Sequence, residues 1–321
     1  MTDKRRRKKI AAIFNTKTFM TLTVENLTLK YKFGATAVQN LTFSAKKGEI
    51  FCIYGKSESG KTSLLKALSG LFPVKNGKIT LDKTDYASKS VREKNVFLMH
   101  EDLGFFENKT LKYNLEYPLK IRNDDNASDK VSTLAKKYGL SDLLDAKAKK
   151  ISPTDRLNAA FLRCENRNAD LYLFDNPFNS LPERTELFAK FLPLLKQKAS
   201  ESVVIYATDD VEEVKKINGS TLIINYGIKH QIGIPDEIKN NPSSAFVYKI
   251  FYPNAEEYFG KIIDKNTLDF NNKEYFIDKK ELLNDIFIGK VVKVCVNANN
   301  IETAKIYDLA SEKLIYFAKI V

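Results

Sequence analysis

Apolar and polar positions alternate along "MTLTVENLTLKY" (20–31), the pattern of a strand with one face covered and one wet. "AVQNLTFSAKKGEIFCIYG" (37–55) predicts two further strands around a Lys-Gly turn. At "SLLKALSGLF" (63–72) the apolar spacing becomes that of one helix face. "NGKITLD" (76–82) is a hairpin signal. Residues 110–150 read as helical, first "TLKYNLEYPLKI" and then "SDKVSTLAKKYGLSDLLDAKAKK". "ADLYLFD" (169–175) and "SVVIYATDD" (202–210) are unbroken apolar runs, as in strands covered on both faces of a parallel sheet. "STLIINYGIKHQIG" (220–233) predicts a hairpin turning at Tyr226 and Gly227.

From Met20 to about Ile238, then, strands alternate with helices, which predicts an α/β unit. The pattern changes near "KNNPSSAF" (239–246). Beyond it "YFGKIID", "TLDF", "KEYFID", "FIGKVVKVCV" and "LIYFAKIV" are short strands parted by Asn and Asp turns. That spacing predicts a small barrel or sandwich. The expected organisation is a basic arm at 1–19, an α/β unit at 20–240 with a helical subdomain at about 105–160, and a β-rich accessory unit at 250–321.

Composition changes this picture little. The chain has 321 residues, 43% hydrophobic and 29% charged, enough for a sizeable core. Its formal net charge of +12 favours anionic partners. The three cysteines, Cys52, Cys164 and Cys295, lie far apart, with neither metal-ligand spacing nor a disulfide framework. The two histidines, His100 and His230, are too few for a histidine metal site. No apolar run reaches membrane-spanning length. "MTDKRRRKKIAAIF" begins like a signal peptide, but its apolar part is short and broken by Asn15, Thr16 and Lys17. The arm is read as a solubilising tail, with contact to acidic lipid head groups as the alternative and nucleic acid disfavoured.

"GKSESGKT" (55–62) carries the chemistry. It matches G-x-x-x-x-G-K-[ST] between an apolar strand and a helix, the setting of a phosphate loop. Gly55 and Gly60 let the backbone curl so that the N–H groups of Lys56, Ser57, Glu58, Ser59 and Ser63 face phosphate oxygens. Lys61 supplies positive charge, and Thr62 offers a hydroxyl to Mg²⁺. "LYLFDNP" (171–177) delivers Asp175 to a strand end, where it would stand beside a metal. The next side chain is Asn176, an amide that cannot take a proton.

With these two stretches fixed, the chain from Met20 onward resembles an ATP-binding cassette subunit, in particular the ATPases of carbohydrate, glycerol-phosphate and polyamine importers. "HEDLGFFENKTLKYNL" (100–115) sits where that family has its glutamine loop, with Glu101 in the glutamine's place. "ISPTDR" (151–156) falls where the family writes LSGGQR. "LYLFDNP" matches its Walker B strand, with Asn176 for Glu. "NSLP" (179–182) resembles the D-loop, with Pro182 for Asp, and "IYATDD" (205–210) the switch strand, with Asp209 for His. "IGIPDEIKNNPSSAFV" (232–247) resembles the passage into the importers' accessory barrel. "VCVNANNI" (294–301) stands in place of a G-I-R-P-E-H-I motif.

The resemblance implies ATP and Mg²⁺ as cofactors, with Tyr31 or Phe33 as the aromatic that stacks on adenine. Thr62, Asp175 and Glu101 are the implied metal-side residues. It also implies transmembrane permease partners and a peripheral place on the cytoplasmic face of the membrane. Family members sandwich two ATP molecules between two cassettes, each site joining one chain's phosphate loop to the other's signature. Here Asn176 cannot serve as base, a role worth about 10²–10⁴ in rate. Asp209 and Glu101 add negative charge near the terminal phosphate. Ser152 survives in the signature, but Pro153 has no N–H to donate. Thr154 replaces a glycine and Asp155 an amide. A homodimer would then have no intact site. The expectation is a degenerate cassette that binds ATP and pairs with a second ATPase chain; a non-hydrolysing cassette that holds a permease assembly together is the alternative.

Overall fold

The computed structural model describes residues 20–32, 34–179, 181–264, 267–271, 273–276, 288–297, 300–311 and 313–319. The basic arm and Phe33 therefore lie outside the described residues. Two sheets build the larger part. β1 (Thr21–Lys30), β2 (Thr36–Lys46), β4 (Asn76–Leu81) and β5 (Thr84–Asp85) form an antiparallel sheet in the order β2-β1-β4-β5. β3 (Ile50–Tyr54), β6 (Val96–Met99), β7 (Leu171–Asp175), β8 (Val203–Thr208), β9 (Thr221–Asn225) and β10 (Ile228–Gly233) form the second, ordered β10-β9-β3-β8-β7-β6. All its pairings are parallel except the β9–β10 hairpin.

The period-two geometry of a strand divides the apolar runs between two cores. Phe51 and Ile53, Leu171 and Leu173, Val203 and Ile205 face the core shared with the antiparallel sheet and α1 (Lys61–Ser69). Cys52 and Tyr54, Tyr172 and Phe174, Val204 and Tyr206 face the opposite core, against α4 (Pro153–Glu165) and α5 (Arg184–Glu201). There Phe161 stacks on Phe191 with ring centroids 3.8 Å apart, flanked by Phe174 and Phe178. Phe161→Ala should lower the unfolding free energy by about 3–5 kcal/mol, seen as a drop in the urea midpoint. A change under about 1 kcal/mol would mean that this ring is not packed as described.

A third apolar cluster joins α2 (Leu111–Lys120), α3 (Ala127–Lys137) and α4 through Leu111, Leu115, Val131, Ala135 and Leu162. The helix expected over 63–72 instead spans Lys61–Ser69. Gly70 takes φ +87° and its N–H reaches back to the carbonyls of Ala67 and Lys66, a left-handed cap that ends the helix before Leu71.

The C-terminal strands are β11 (Ala255–Asp264), β12 (Thr267–Phe270), β13 (Lys273–Phe276), β14 (Val291–Asn297), β15 (Asn300–Asp308) and β16 (Leu314–Lys319). They form one antiparallel sheet, ordered β13-β12-β11-β14-β15-β16. The strand-rich unit is present, but it is an open sheet rather than a barrel: among the described residues β13 and β16 do not pair. α6 (Val211–Ile217) joins β8 to β9, and α7 (Pro235–Asn240) and α8 (Ala245–Phe251) lie between β10 and the C-terminal sheet. α7 and α8 pack on both sides of the passage: Ile238, Val247 and Phe251 join the large core, Ala245 and Tyr248 the core under β14 and β15. Lys305, buried on β15, donates to the Asn240 carbonyl at 2.6 Å, and the Leu314 N–H donates to the Ser243 carbonyl.

All three cysteines are free and buried. No described helix is long and apolar enough to cross a membrane.

Candidate functional site

The chain between β3 and α1 forms a tight loop that glycine makes feasible. A Cβ at Gly55 would lie 2.6 Å from the Ile224 carbonyl oxygen, and one at Gly60, with φ +98°, 2.3 Å from that of Ala37. Both are closer than non-bonded atoms approach, so neither position admits a side chain. Glu58 is also left-handed, at φ 63°. The β9–β10 turn holds the loop from outside: the Gly227 N–H donates to the Ser59 carbonyl at 2.9 Å, and the Gly227 carbonyl accepts from the Gln39 N–H at 2.9 Å.

Lys61 folds back under the loop. Its ammonium donates to the carbonyls of Gly55 (2.5 Å) and Lys56 (2.9 Å) and to Ser59 Oγ (3.3 Å). Burial lowers its pKa, while Asp209, Asp175 and Glu101, in that order, push it back up. Gly60 caps α1 without any side-chain hydrogen bond, so the first N–H groups of that helix have no partner within it. They open, with the positive end of the helix dipole, on a cleft of about 450 Å³.

Tyr31, Ser57, Glu58, Ser59, Gly60, Lys61, Thr62, Ser63, Glu101, Asp175, Asn176 and Asp209 all line that cleft. Segments far apart in sequence thus meet where the phosphate loop opens. Gly55 and Lys56 lie beneath it, held by Lys61. Tyr31 stands at the cleft, its hydroxyl 2.6 Å from Ser63 Oγ and its ring edge-on to Phe72.

Asp175 is buried at the end of β7, which raises its carboxyl pKa; the Thr62 hydroxyl, then His100 and Lys61, oppose the rise. Its Oδ2 has no hydrogen-bond partner and lies 3.8 Å from His100 Nε2, which is also buried and unpartnered. An orphaned carboxylate oxygen beside a hydroxyl suits a hard divalent cation. Among the described residues no group of three or more His, Cys, Asp or Glu could hold a metal by itself. Such an ion at Thr62 and Asp175 needs further oxygens, which phosphates can give. The residues present therefore fit a metal–nucleotide pair. Glu101, on the segment after β6, accepts a hydrogen bond from the Asn179 side chain.

Asn176 has φ 48°, a left-handed position that Asn tolerates better than most residues. Its Oδ1 accepts from Arg184 Nη2 at 3.1 Å. The same Nη2 donates to Asp209 Oδ1 at 3.0 Å and to Thr208 Oγ1 at 3.0 Å. Arg184 Nε donates to Glu213 Oε1 at 2.8 Å and lies 3.4 Å from Asp210 Oδ2. The sequence sets Asp209 as an uncompensated acid near the terminal phosphate; the fold sets an arginine against it. Nothing in "ERTE" signals this, because the partners of Arg184 converge only when β7, β8, α5 and α6 pack.

The signature-like residues are not in the cleft. Ser152 is the N-cap of α4, with Pro153 in its first turn. Ser152 Oγ donates to Asp155 Oδ2 at 2.6 Å and accepts from the Asp155 N–H at 3.1 Å. The hydroxyl proton is thus engaged within the cap, and a carboxylate stands beside it. Thr154 lies between them on the first turn. A second cleft, of about 700 Å³, separates β6 from the helical cluster and is bordered by His100, Arg122, Arg163 and Arg167.

A largely parallel sheet, a glycine-shaped loop leading into a helix and a buried lysine beneath it are the features of a P-loop fold. Comparison with known proteins narrows the class. Residues 38–179 match the family model described as ABC transporter. It is similar to import ATP-binding subunits. These include the sn-glycerol-3-phosphate import ATP-binding protein UgpC of Psychromonas ingrahamii, 27% identical over 71% of this chain and 61% of that one. The trehalose import ATP-binding protein SugC of Mycobacterium tuberculosis is 26% identical over 70% and 58%. The sulfate/thiosulfate import ATP-binding protein CysA of Nitrosomonas europaea is 28% identical over 75% and 68%. The chain thus spans about three fifths of the length of the first two relatives. Among solved structures, a bacterial Atm1-family ABC exporter with ATP bound superposes with a TM-score of 0.63 at 19% identity, over 73% of this chain and 42% of that one, which shows the fold.

Proposed function

We propose that this chain is the ATP-binding subunit of an ABC-type importer, a member without its own catalytic base that works beside a second, more competent cassette chain. The observation that carries the reading is the pairing of an intact phosphate cradle with an amide at the strand end. Lys61, the uncapped start of α1 and the glycines at 55 and 60 favour a triphosphate. Thr62 and Asp175 would hold Mg²⁺ beside it, with Glu101 also at the cleft, and Tyr31 would meet the adenine. Such an ion would offset phosphate charge. Asn176 carries no base to activate water, and Asp209 is committed to Arg184.

The same logic applies to the face offered to a partner cassette. Ser152, tied to Asp155, has no free proton for a phosphate across an interface, and Pro153 has no N–H. Both losses favour a heteromeric pair over a homodimer. The cleft between β6 and the helical cluster suits a permease segment approaching from the membrane; His100 borders this cleft and lies 3.8 Å from Asp175 of the other one. The resulting place is peripheral, on the cytoplasmic face, with the C-terminal sheet as a regulatory or dimer-contact unit.

The second reading, a cassette that only holds a permease assembly together, draws on the Ser152–Asp155 lock and the Arg184 cluster. Affinity purification of the tagged chain from detergent-solubilised membranes tests the assignment. Transmembrane permease subunits and another cassette chain should copurify. Recovery of RNA in their place would reject an importer role.

A further inference from the structure

Behind the nucleotide cleft, one cation is shared among several acids. Glu213 is the deep anchor: it is buried, accepts from the Tyr206 hydroxyl at 2.8 Å and from Thr208 Oγ1 at 2.5 Å, and binds Arg184 Nε on its other oxygen. Asp210 flanks the same Nε. These contacts fix the guanidinium at the start of α5 and aim Nη2 at Asn176 and Asp209. Both of those residues line the cleft, and Arg184 stands behind them. Among the described residues of the cleft lining, Lys61 is the one cation facing Glu58, Glu101, Asp175 and Asp209. Asp209 shares the cleft lining with Lys61 and the loop residues. A triphosphate brings several more negative charges to that point, so an unbalanced Asp209 would oppose it directly.

We propose that Arg184 is the positioning residue that lets this acid-substituted cleft accept a triphosphate, by drawing the Asp209 carboxylate and the Asn176 amide oxygen back against α5 and cancelling the charge Asp209 would present to the terminal phosphate. The inference rests on the nucleotide-binding reading above. Arg184 acts through these two neighbours and takes no part in bond cleavage. The fork of the guanidinium suits the task, since a single group spans Glu213 behind and two acceptors in front.

The test is equilibrium binding of fluorescent ATP and ADP analogues with Mg²⁺ to the full chain, with thermal melts run in parallel. Arg184→Gln should weaken the ATP analogue by about tenfold or more and the ADP analogue much less, because the repulsion acts at the terminal phosphate. Adding Asp209→Asn to that variant should return ATP affinity to within about threefold of the parent chain, whereas a purely architectural arginine would not be rescued by removing one acid. Arg184→Lys, which keeps the charge, should lie between parent and Arg184→Gln. Should Arg184→Gln fail to fold, Asp209→Asn alone decides: with Arg184 left facing the phosphate, ATP should bind about threefold or more tighter. Unchanged ATP affinity in Arg184→Gln, or no rescue by Asp209→Asn, overturns the proposal. So does unchanged or weaker ATP binding in Asp209→Asn alone. A parent chain that binds neither nucleotide defeats the underlying nucleotide reading instead, and this inference with it.

Discussion

Lys61→Ala should reduce the affinity of the chain for MgATP by at least about thirtyfold, the equivalent of about 2 kcal/mol or more for taking one partner from a desolvated charge contact. The size of the effect follows from the composition of the cleft. Its described lining sets Lys61 against four carboxylate side chains, and the nearby Arg184 is held by Asp209 and Glu213. The ammonium already lies beneath the loop, and the bonds to the carbonyls of Gly55 and Lys56 that it gives up on turning toward phosphate offset part of the gain. Titration with a fluorescent ATP analogue gives the number, and circular dichroism checks that the loop carbonyls released by the substitution do not unfold the chain. An affinity within about threefold of the parent would mean that the cleft does not seat a triphosphate in this way.

The second large effect is an absence of turnover. A general base is worth about 10²–10⁴ in rate, and the strand-end amide supplies none. Phosphate release by the purified chain should therefore match that of its own Lys61→Ala variant. Release more than about tenfold above that control would show that another group, Glu101 or Asp209, serves as base. Asn176→Glu should recover less than about a tenfold gain by itself. Arg184 would bind the new carboxylate as it binds the amide now, and the left-handed backbone at φ 48° suits Glu less well than Asn. The Ser152–Asp155 pair would still deny a second copy of the chain its hydroxyl donor.

The parts of this site that the sequence reveals are those whose chemistry is local. Gly55, Gly60, Lys61 and Thr62 are legible because the loop, its flanking strand and the helix after it fall within one short stretch. The buried strands were equally plain, since β3, β7 and β8 are continuous apolar runs. Arg184 was hidden for the opposite reason: its contact with Glu213 joins positions 29 residues apart, and its role exists only once two strands and two helices meet. β15 escaped notice because Lys305 occupies an inward position and breaks the alternation that marks a covered strand. The open form of the C-terminal sheet was illegible too, because strand spacing fixes how many strands there are and not whether the last returns to the first. Between Tyr31 and Phe33 the sequence offers two neighbouring aromatics, and the fold places the hydroxyl of Tyr31 against Ser63.

The turn at Gly227 ties the phosphate loop to its surroundings, since it grips the Ser59 carbonyl with one bond and β2 with another. The same strand runs on through β10 and α7 to Asn240, where Lys305 moors it to the C-terminal sheet. A continuous length of backbone thus strings the two ends of the molecule together like a tiller line. A displacement at the Lys305 mooring therefore has a covalent path of backbone leading to the turn that braces the loop.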